Sequence, residues 1–251
     1  MHRRPNLITT TSIVLSILIL SSVFGYRLAL SAPEDGFAPL VKKIGPAVRE
    51  VIDRPTLYRV TELKGLPCTK ETFEFLIDRP RVSMALARML DPTLDDYRIG
   101  TRPDGSYHVD DNGKLVGDME VVTKEPGRRV YYISGYWKFI LGIRFSGRMV
   151  LVPEYSETVV DGVKTVDARA RGYMKIDSVV AGAMARLAMF LFPGKVDSRM
   201  ARFASAVRTV AASVDGDPEG VYRKLARVKG VSPEELDEFK RTFVLAKIHR
   251  R

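Results

Sequence analysis

The sequence has very little of the two residue types that most often bind metals or act as nucleophile and base. Of its 251 residues, one is a cysteine, Cys68, so neither an internal disulfide nor a thiolate metal cluster is available. The three histidines are His2, His108 and His249, and only His108 lies within a predicted folded region. This scarcity argues against a histidine-rich metal site and a Ser-His-Asp triad, and we expect no metal and no cofactor.

Long apolar runs are also scarce after the first 32 residues. Hydrophobic residues make up 45% of the chain and charged residues 28%, which excludes a disordered chain and a polytopic membrane protein. The 40 Lys and Arg outnumber the 30 Asp and Glu, giving a formal net charge of +10. The length is sufficient for one large domain or two small ones, and for a substantial core.

The N-terminal region has the strongest local pattern. No charge occurs from Pro5 to Tyr26, a length that can cross a bilayer as a helix, although its most apolar part, 13–20, is closer to a signal peptide. Ala29-Leu30-Ser31 fits the small-x-small cleavage rule, whereas Arg27 fits an uncleaved anchor. We therefore predict a signal peptide or membrane anchor over 1–32.

Either alternative places the rest of the chain in the periplasm or another extracytoplasmic space. If the segment is retained, residues 7–26 would anchor the protein in the inner membrane. Residues 33–54 are predicted to be a linker and an amphipathic helix bent at Gly45-Pro46. This helix would either pack on the domain or lie near the membrane surface.

From residue 55 the pattern predicts a strand, two short helices, about six antiparallel strands and a long helix. Thr69 is a candidate helix cap, and Asp78-Arg79-Pro80 interrupts the first helical stretch. Apolar and polar residues alternate strictly over 143–151 and 165–176, which is typical of a sheet with one buried face. Pro193-Gly194 breaks or kinks the long helix, which is followed by two short helices.

This order resembles the START-like, helix-grip (SRPBCC-type) superfamily. The resemblance rests on the helix-pair segment 73–78, the strand series 115–176 and the kinked helix 178–214. It implies an α+β fold in which an antiparallel sheet curves around a long C-terminal helix and leaves a hydrophobic cavity between them. The implied domain covers 55–214, and residues 215–251 form a short helical extension.

The side chains expected on the inner sheet face support a cavity independently. Small residues alternate with methionine and phenylalanine there, a lining that suits an irregular apolar ligand. The alternative is a tight core in which small residues admit close helix packing. The predicted ligand-binding residues are Gly117, Met119, Val121, Tyr132, Trp137, Phe145, Gly147, Met149, Ala168, Ala170, Gly172, Met174, Met184, Leu187 and Leu191.

The aromatic stretch 131–137 would place a tyrosine hydroxyl or the Trp137 indole at the cavity mouth, but the sequence does not decide which of its faces points inward. A basic outer face is also predicted, and it would meet anionic lipid headgroups. Its members are Arg144, Arg148, Arg169 and Arg171.

These features favour an exported, monomeric protein that binds or transfers a lipid or another apolar molecule at an anionic membrane surface. The alternative is a cyclase-like or hydrolase-like cavity enzyme of the same fold, which would need a buried ionisable group in the cavity. The alternating strands show no obvious inward carboxylate. Nucleic-acid binding is disfavoured by the predicted export and by the dispersed Lys and Arg residues.

Overall fold

A seven-stranded antiparallel sheet forms the centre of the protein. A computed structural model describes residues 44–90, 97–138, 144–183 and 193–246. The strands lie in the order β1-β7-β6-β5-β4-β3-β2. Their bounds are β1 Leu57–Leu66, β2 Tyr97–Thr101, β3 Tyr107–Asp111, β4 Leu115–Glu125, β5 Arg128–Lys138, β6 Arg144–Val160 and β7 Val163–Ile176. The alternating segments of the sequence are confirmed as strands.

Helices precede the sheet, connect β1 to β2 and follow β7. Their bounds are α1 Pro46–Asp53, α2 Lys70–Asp78, α3 Pro80–Leu90, α4 Pro193–Gly216, α5 Pro218–Leu225 and α6 Pro233–Phe239, which continues as a π-helical turn over Lys240–Leu245. Residues 179–183 are also helical. Among the described residues, none of the helices is long and apolar enough to cross a membrane, and the predicted segment 7–26 lies outside that range.

Local sequence signals account for most of these boundaries. The Thr69 hydroxyl accepts a hydrogen bond from the Thr72 N–H, which confirms the predicted cap of α2. At the start of α6, Ser232 and Glu235 form a complete capping box. The turn before β7 is tight because Asp161 and Gly162 both adopt positive φ, at 52° and 77°.

The two faces of the sheet are covered by different parts of the chain. On the outer face, α1 packs against valines and tyrosines of the central strands, so this face is not simply a solvated surface. On the inner face, α3 contributes Met84 to a second apolar cluster. The strand residues buried in that inner cluster are Val109, Leu115, Met119, Tyr131, Ile133, Met149, Leu151, Met174 and Ile176.

The helical core lies beside the end of the sheet where β1 ends. Phe75 of α2 contacts Phe239 of α6 and Phe243 of the π-helical turn, with ring centroids 5.8 and 4.9 Å apart. Leu225 of α5 is fully buried in the same cluster. The C-terminal residues predicted to be an extension are therefore packed into the same hydrophobic core as the helix pair.

The long C-terminal helix differs from the prediction in its position. The helix α4 has 24 residues, and it packs mainly against α2, α3, α5 and β1 rather than lying across the central strands. Its buried residues Val210, Ala211 and Val214 belong to the helical core. In the described part of the chain, the sheet does not wrap around this helix. The described part of this helix has Pro193 at its first residue, a position that proline favours.

Candidate functional site

The predicted ligand-binding residues fall mostly on one face of the sheet. The inner face carries Gly117, Met119, Val121, Trp137, Phe145, Gly147, Met149, Ala168, Ala170, Gly172 and Met174. Met119, Met149 and Met174 are buried there in one row across the strands, with Ile133 of β5 between Met119 and Met149. Met184, Leu187 and Leu191 lie outside the described residues. The period-2 pattern therefore placed most of the inner face correctly.

Tyr132 is the exception, because it lies on the outer face. It packs with Val130 and Val150 in the cluster that α1 covers. The inward residues of β5 are Tyr131, Ile133, Gly135 and Trp137. The tyrosine at 132 is therefore separated from Trp137 by the sheet itself, and of these two residues only Trp137 can line an inner-face site.

Three glycines lie directly opposite one another on neighbouring strands. Gly117 pairs with Gly135, and Gly135 pairs with Gly147. A Cβ on Gly135 would lie 2.3 Å from the Val116 carbonyl oxygen, and one on Gly117 would lie 2.6 Å from that of Ser134. The strands thus approach too closely for a side chain, and the row marks a sharp bend in the sheet. The close approach of the strands accounts for the presence of glycine at positions 117 and 147, and no cavity above them is needed to explain it.

An aromatic pair lies at the end of the inner face next to the glycine row. The rings of Trp137 and Phe145 are stacked with centroids 6.0 Å apart, and a Cβ on Gly147 would lie 3.2 Å from the Trp137 ring. Both aromatic residues are only half-buried, as are Leu57 and Ala170 on the same face. This end of the inner face is therefore an apolar surface that is accessible to a ligand.

A buried ionic network that the sequence did not reveal lies at the opposite end of the inner face. The guanidinium of Arg129, with a side chain only 8% exposed, donates to both carboxylate oxygens of Asp78 at 3.0 and 3.1 Å. The same guanidinium donates to the Glu125 carbonyl oxygen at 2.6 Å and lies over the Tyr155 ring. Tyr155 donates its hydroxyl proton to Glu74 at 2.9 Å. The network fixes the end of α2 against the β4–β5 hairpin.

Tyrosine hydroxyls extend this network to the backbone. Tyr131 is buried and donates to the Ile77 carbonyl oxygen at 2.9 Å near the C-terminus of α2. Burial raises the pKa of Tyr131 well above its ordinary value, and burial likewise raises the pKa of Tyr155 and Tyr173. All three therefore stay neutral at physiological pH and serve as hydrogen-bonding or packing groups.

The stability of the fold will decrease as the pH rises above about 10. In the unfolded chain these tyrosines ionise near their ordinary pKa of about 10, whereas the folded protein holds them neutral, so unfolding releases protons in this range. Urea unfolding at pH 8, 9, 10 and 11 measures the slope. Tyr131→Phe will make the decrease shallower, and an unchanged slope in this variant would show that Tyr131 ionises equally in both states.

A polar groove of about 500 Å³ lies on the other side of the β4–β5 turn. Its acidic and basic side chains are paired with each other: Glu62 lies 3.6 Å from Lys64 and 3.9 Å from Arg169, and Arg128 lies 3.8 Å from Glu154. Each of these ionic groups therefore has a partner of opposite charge within the groove. The groove is wide and open, so we regard it as a surface feature.

Neither the cysteine nor the remaining histidine provides a reactive group. Cys68 is fully buried, and burial raises the pKa of its thiol to about 12. The exposed His108 ring lies 2.7 Å from the Asp118 carboxylate, which also contacts Arg102. Within the part of the chain that the structure describes, His, Cys, Asp and Glu form no group able to hold a metal ion.

The predicted basic outer face is largely neutralised. Arg148 pairs with Glu50 of α1 at 2.7 Å, and Arg171 pairs with Glu154. Arg169 lies near Glu62, and Arg144 stacks on the Tyr136 ring at 4.9 Å. These pairs reduce the positive potential that the arginines would otherwise present to an anionic surface.

Comparisons with known proteins give only distant structural similarity. The sequence matches no protein family, and it has no detectable relative among curated proteins. The chain is similar to a hypothetical protein of Helicobacter pylori, with 11% identity and a TM-score of 0.38 over 75% of this chain and 99% of that one. It is also similar to an uncharacterised protein of Rhizobium leguminosarum, with 13% identity and a TM-score of 0.27 over 62% and 93% of the two chains.

Proposed function

We propose that the protein binds a lipid or another apolar molecule on the inner face of its sheet, in an extracytoplasmic space. The observation that carries this proposal is the half-buried Trp137–Phe145 pair, which continues into a row of buried methionines. Methionine side chains adapt to irregular apolar shapes, and the aromatic pair gives an alkyl chain a surface on which to pack. The proposal requires no reactive group.

The strand order is consistent with a helix-grip arrangement of the START-like type. A helix pair connects β1 to β2, and β1 pairs with β7 at one edge of the sheet. In such an arrangement the ligand would lie between the inner face and the helices that follow β7. In the part of the chain that the structure describes, the main contacts of α4 are with the helix pair, α5 and β1.

Trp137 is the single tryptophan of the chain, so its fluorescence reports this site alone. We expect a fatty acid with a brominated acyl chain to quench the Trp137 emission, whereas the unbrominated acid does not. Organic extraction of the purified protein followed by mass spectrometry would identify the bound molecule. Absence of both quenching and a stoichiometric lipid would contradict the proposed function.

A bulky substitution on the inner face separates ligand binding from folding. Ala170→Phe will weaken binding of the brominated acid about tenfold, since displacing two methylenes from an apolar surface costs about 1.6 kcal/mol. Ala226→Phe, at an exposed position after α5, is the matched control and will bind normally. If Ala170→Phe unfolds the protein while Phe145→Ala leaves quenching unchanged, the inner face is a tight core and binds no ligand.

A further inference from the structure

The β6–β7 hairpin projects beyond the rest of the sheet. The strand β5 pairs with β6 only as far as Glu154, and β1 pairs with β7 only as far as Val166. Beyond these positions the two strands pair only with each other. The last three pairs of the ladder are Thr158 with Thr165, Val159 with Lys164 and Val160 with Val163. The hairpin therefore ends in a two-stranded arm.

The arm has a defined conformation. Asp161 and Gly162 both have positive φ and form a two-residue turn whose twist matches that of the strands. The hydroxyls of Thr158 and Thr165 lie 3.0 Å apart and hydrogen bond across the two strands. The tip is therefore ordered before binding, which lowers the entropic cost of binding.

Exposed valines occur on both faces of this tip. The valines at 159, 160 and 163 are 66%, 52% and 59% exposed. Val160 and Val163 lie opposite each other on one face, and Val159 points to the other because side chains alternate along a strand. A cluster of exposed apolar side chains marks a protein or membrane contact site, and valines on both sides of a narrow tip can be buried together when the tip enters a bilayer.

We propose that the β6–β7 tip inserts into the interfacial region of the lipid bilayer to which the N-terminal segment is directed. This inference rests on the extracytoplasmic placement in the proposed function. Asp161 at the apex disfavours entry into the hydrocarbon, so the contact is at headgroup level. Lys164 lies on the same face as Val159, is 60% exposed and is paired with Glu157 at 2.8 Å, so the charged groups of this face also remain at headgroup level.

The chain between the apolar segment and the described structure is long enough for the β6–β7 tip to reach the bilayer. The 17 residues of 27–43 span at most about 60 Å when fully extended. The 14 residues of β7 span about 48 Å, so the linker can bring either end of the sheet to the bilayer. The surface chemistry of the two ends, and not the tether, then selects the end that makes contact.

The opposite end of β7 supplies a matched control. Val179 and Val180 follow β7 and are 89% and 71% exposed, so they are at least as accessible as the valines of the tip. They lie at the far end of the strand, beyond Ile176. A general affinity of exposed valine for lipid would affect both ends equally, whereas insertion of the hairpin affects only one.

The test uses the full chain reconstituted into phosphatidylethanolamine–phosphatidylglycerol vesicles. Val160→Cys and Val180→Cys are labelled separately with an environment-sensitive dye, and the buried, weakly acidic Cys68 thiol remains unlabelled. We expect a blue shift and quenching by headgroup-labelled lipid at position 160 and neither at position 180. Equal spectra at the two positions, or a shift at position 180 alone, would overturn the proposal.

An isosteric substitution completes the experiment. Val159→Thr with Val163→Thr in the Val160→Cys background keeps the β-branched shape and strand propensity, and it will lower the lipid-inserted fraction about tenfold. Val179→Thr with Val180→Thr will leave the fraction unchanged.

Two outcomes separate the possible explanations. If the dye emission shifts to the blue without vesicles, and the shift grows with protein concentration, the tip binds a second copy of the chain and membrane insertion is refuted. Loss of Trp137 quenching with tip insertion intact would refute the proposed function alone.

Discussion

Replacing Asp78 by alanine will lower the free energy of unfolding by about 3–5 kcal/mol, because it leaves the buried Arg129 guanidinium without its carboxylate partner. The two groups form a bidentate pair, and the arginine side chain is almost fully enclosed. The remaining acceptors of Arg129 are backbone carbonyls and the more distant Glu74, which lies 3.8 Å away. Urea unfolding of residues 33–251 at pH 7 measures the loss.

The pair Arg102–Asp118 gives a matched comparison. Its side chains are 45% and 41% exposed, so Asp118→Ala will cost no more than about 1 kcal/mol. A double variant, Asp78→Leu with Arg129→Met, will recover much of the stability lost in Asp78→Ala because no buried charge remains. Similar losses for Asp78→Ala and Asp118→Ala would mean that Arg129 is solvated in solution.

Gly135→Ala will lower the free energy of unfolding by about 3 kcal/mol or more, or will prevent folding, although it adds only one methyl group. The new Cβ would lie 2.3 Å from the Val116 carbonyl oxygen and 2.7 Å from the Gly117 Cα. Both are backbone atoms of a neighbouring strand, so relief requires the strands to separate and break ladder hydrogen bonds. Thermal unfolding followed by circular dichroism gives the change in midpoint.

Gly100→Ala is the control, because the space around its Cβ is empty within 4 Å and Gly100 lies in the edge strand β2. We expect this variant to unfold within a few degrees of the parent, corresponding to a change of about 1 kcal/mol or less. If Gly135→Ala is as stable as Gly100→Ala, the close approach of β4 and β5 does not exist in solution.

The sequence predicted the strands and their turns well where one face is apolar and the other polar. In β6, Phe145, Gly147 and Met149 share the inner face as expected, because arginines and a serine alternate with them. The prediction was undetermined for β5, where apolar or aromatic residues occur on both faces. The helix α1 covers the outer face there, which removes the polar–apolar contrast on which period-2 reasoning depends.

Features that depend on register between strands could not be predicted. The sequence suggested that Gly117 and Gly147 open a cavity, whereas both lie opposite Gly135 at a close backbone contact. Arg129 follows another arginine and carries no local sign of burial, since its partner Asp78 is 51 residues away along the chain. Such pairings are set by tertiary packing, which single-sequence periodicity does not contain.

The pairing of the first strand with the last has a consequence for the order of folding. The Gly65 N–H donates to Asp167, 102 residues further along the chain, and β1 has no other strand beside it in the described sheet. During synthesis β1 therefore has no strand to pair with until β7 has left the ribosome. Strand pairs this distant in sequence also form slowly. The sheet thus cannot be completed until residue 176 of the 251 has been made, about seven-tenths of the chain.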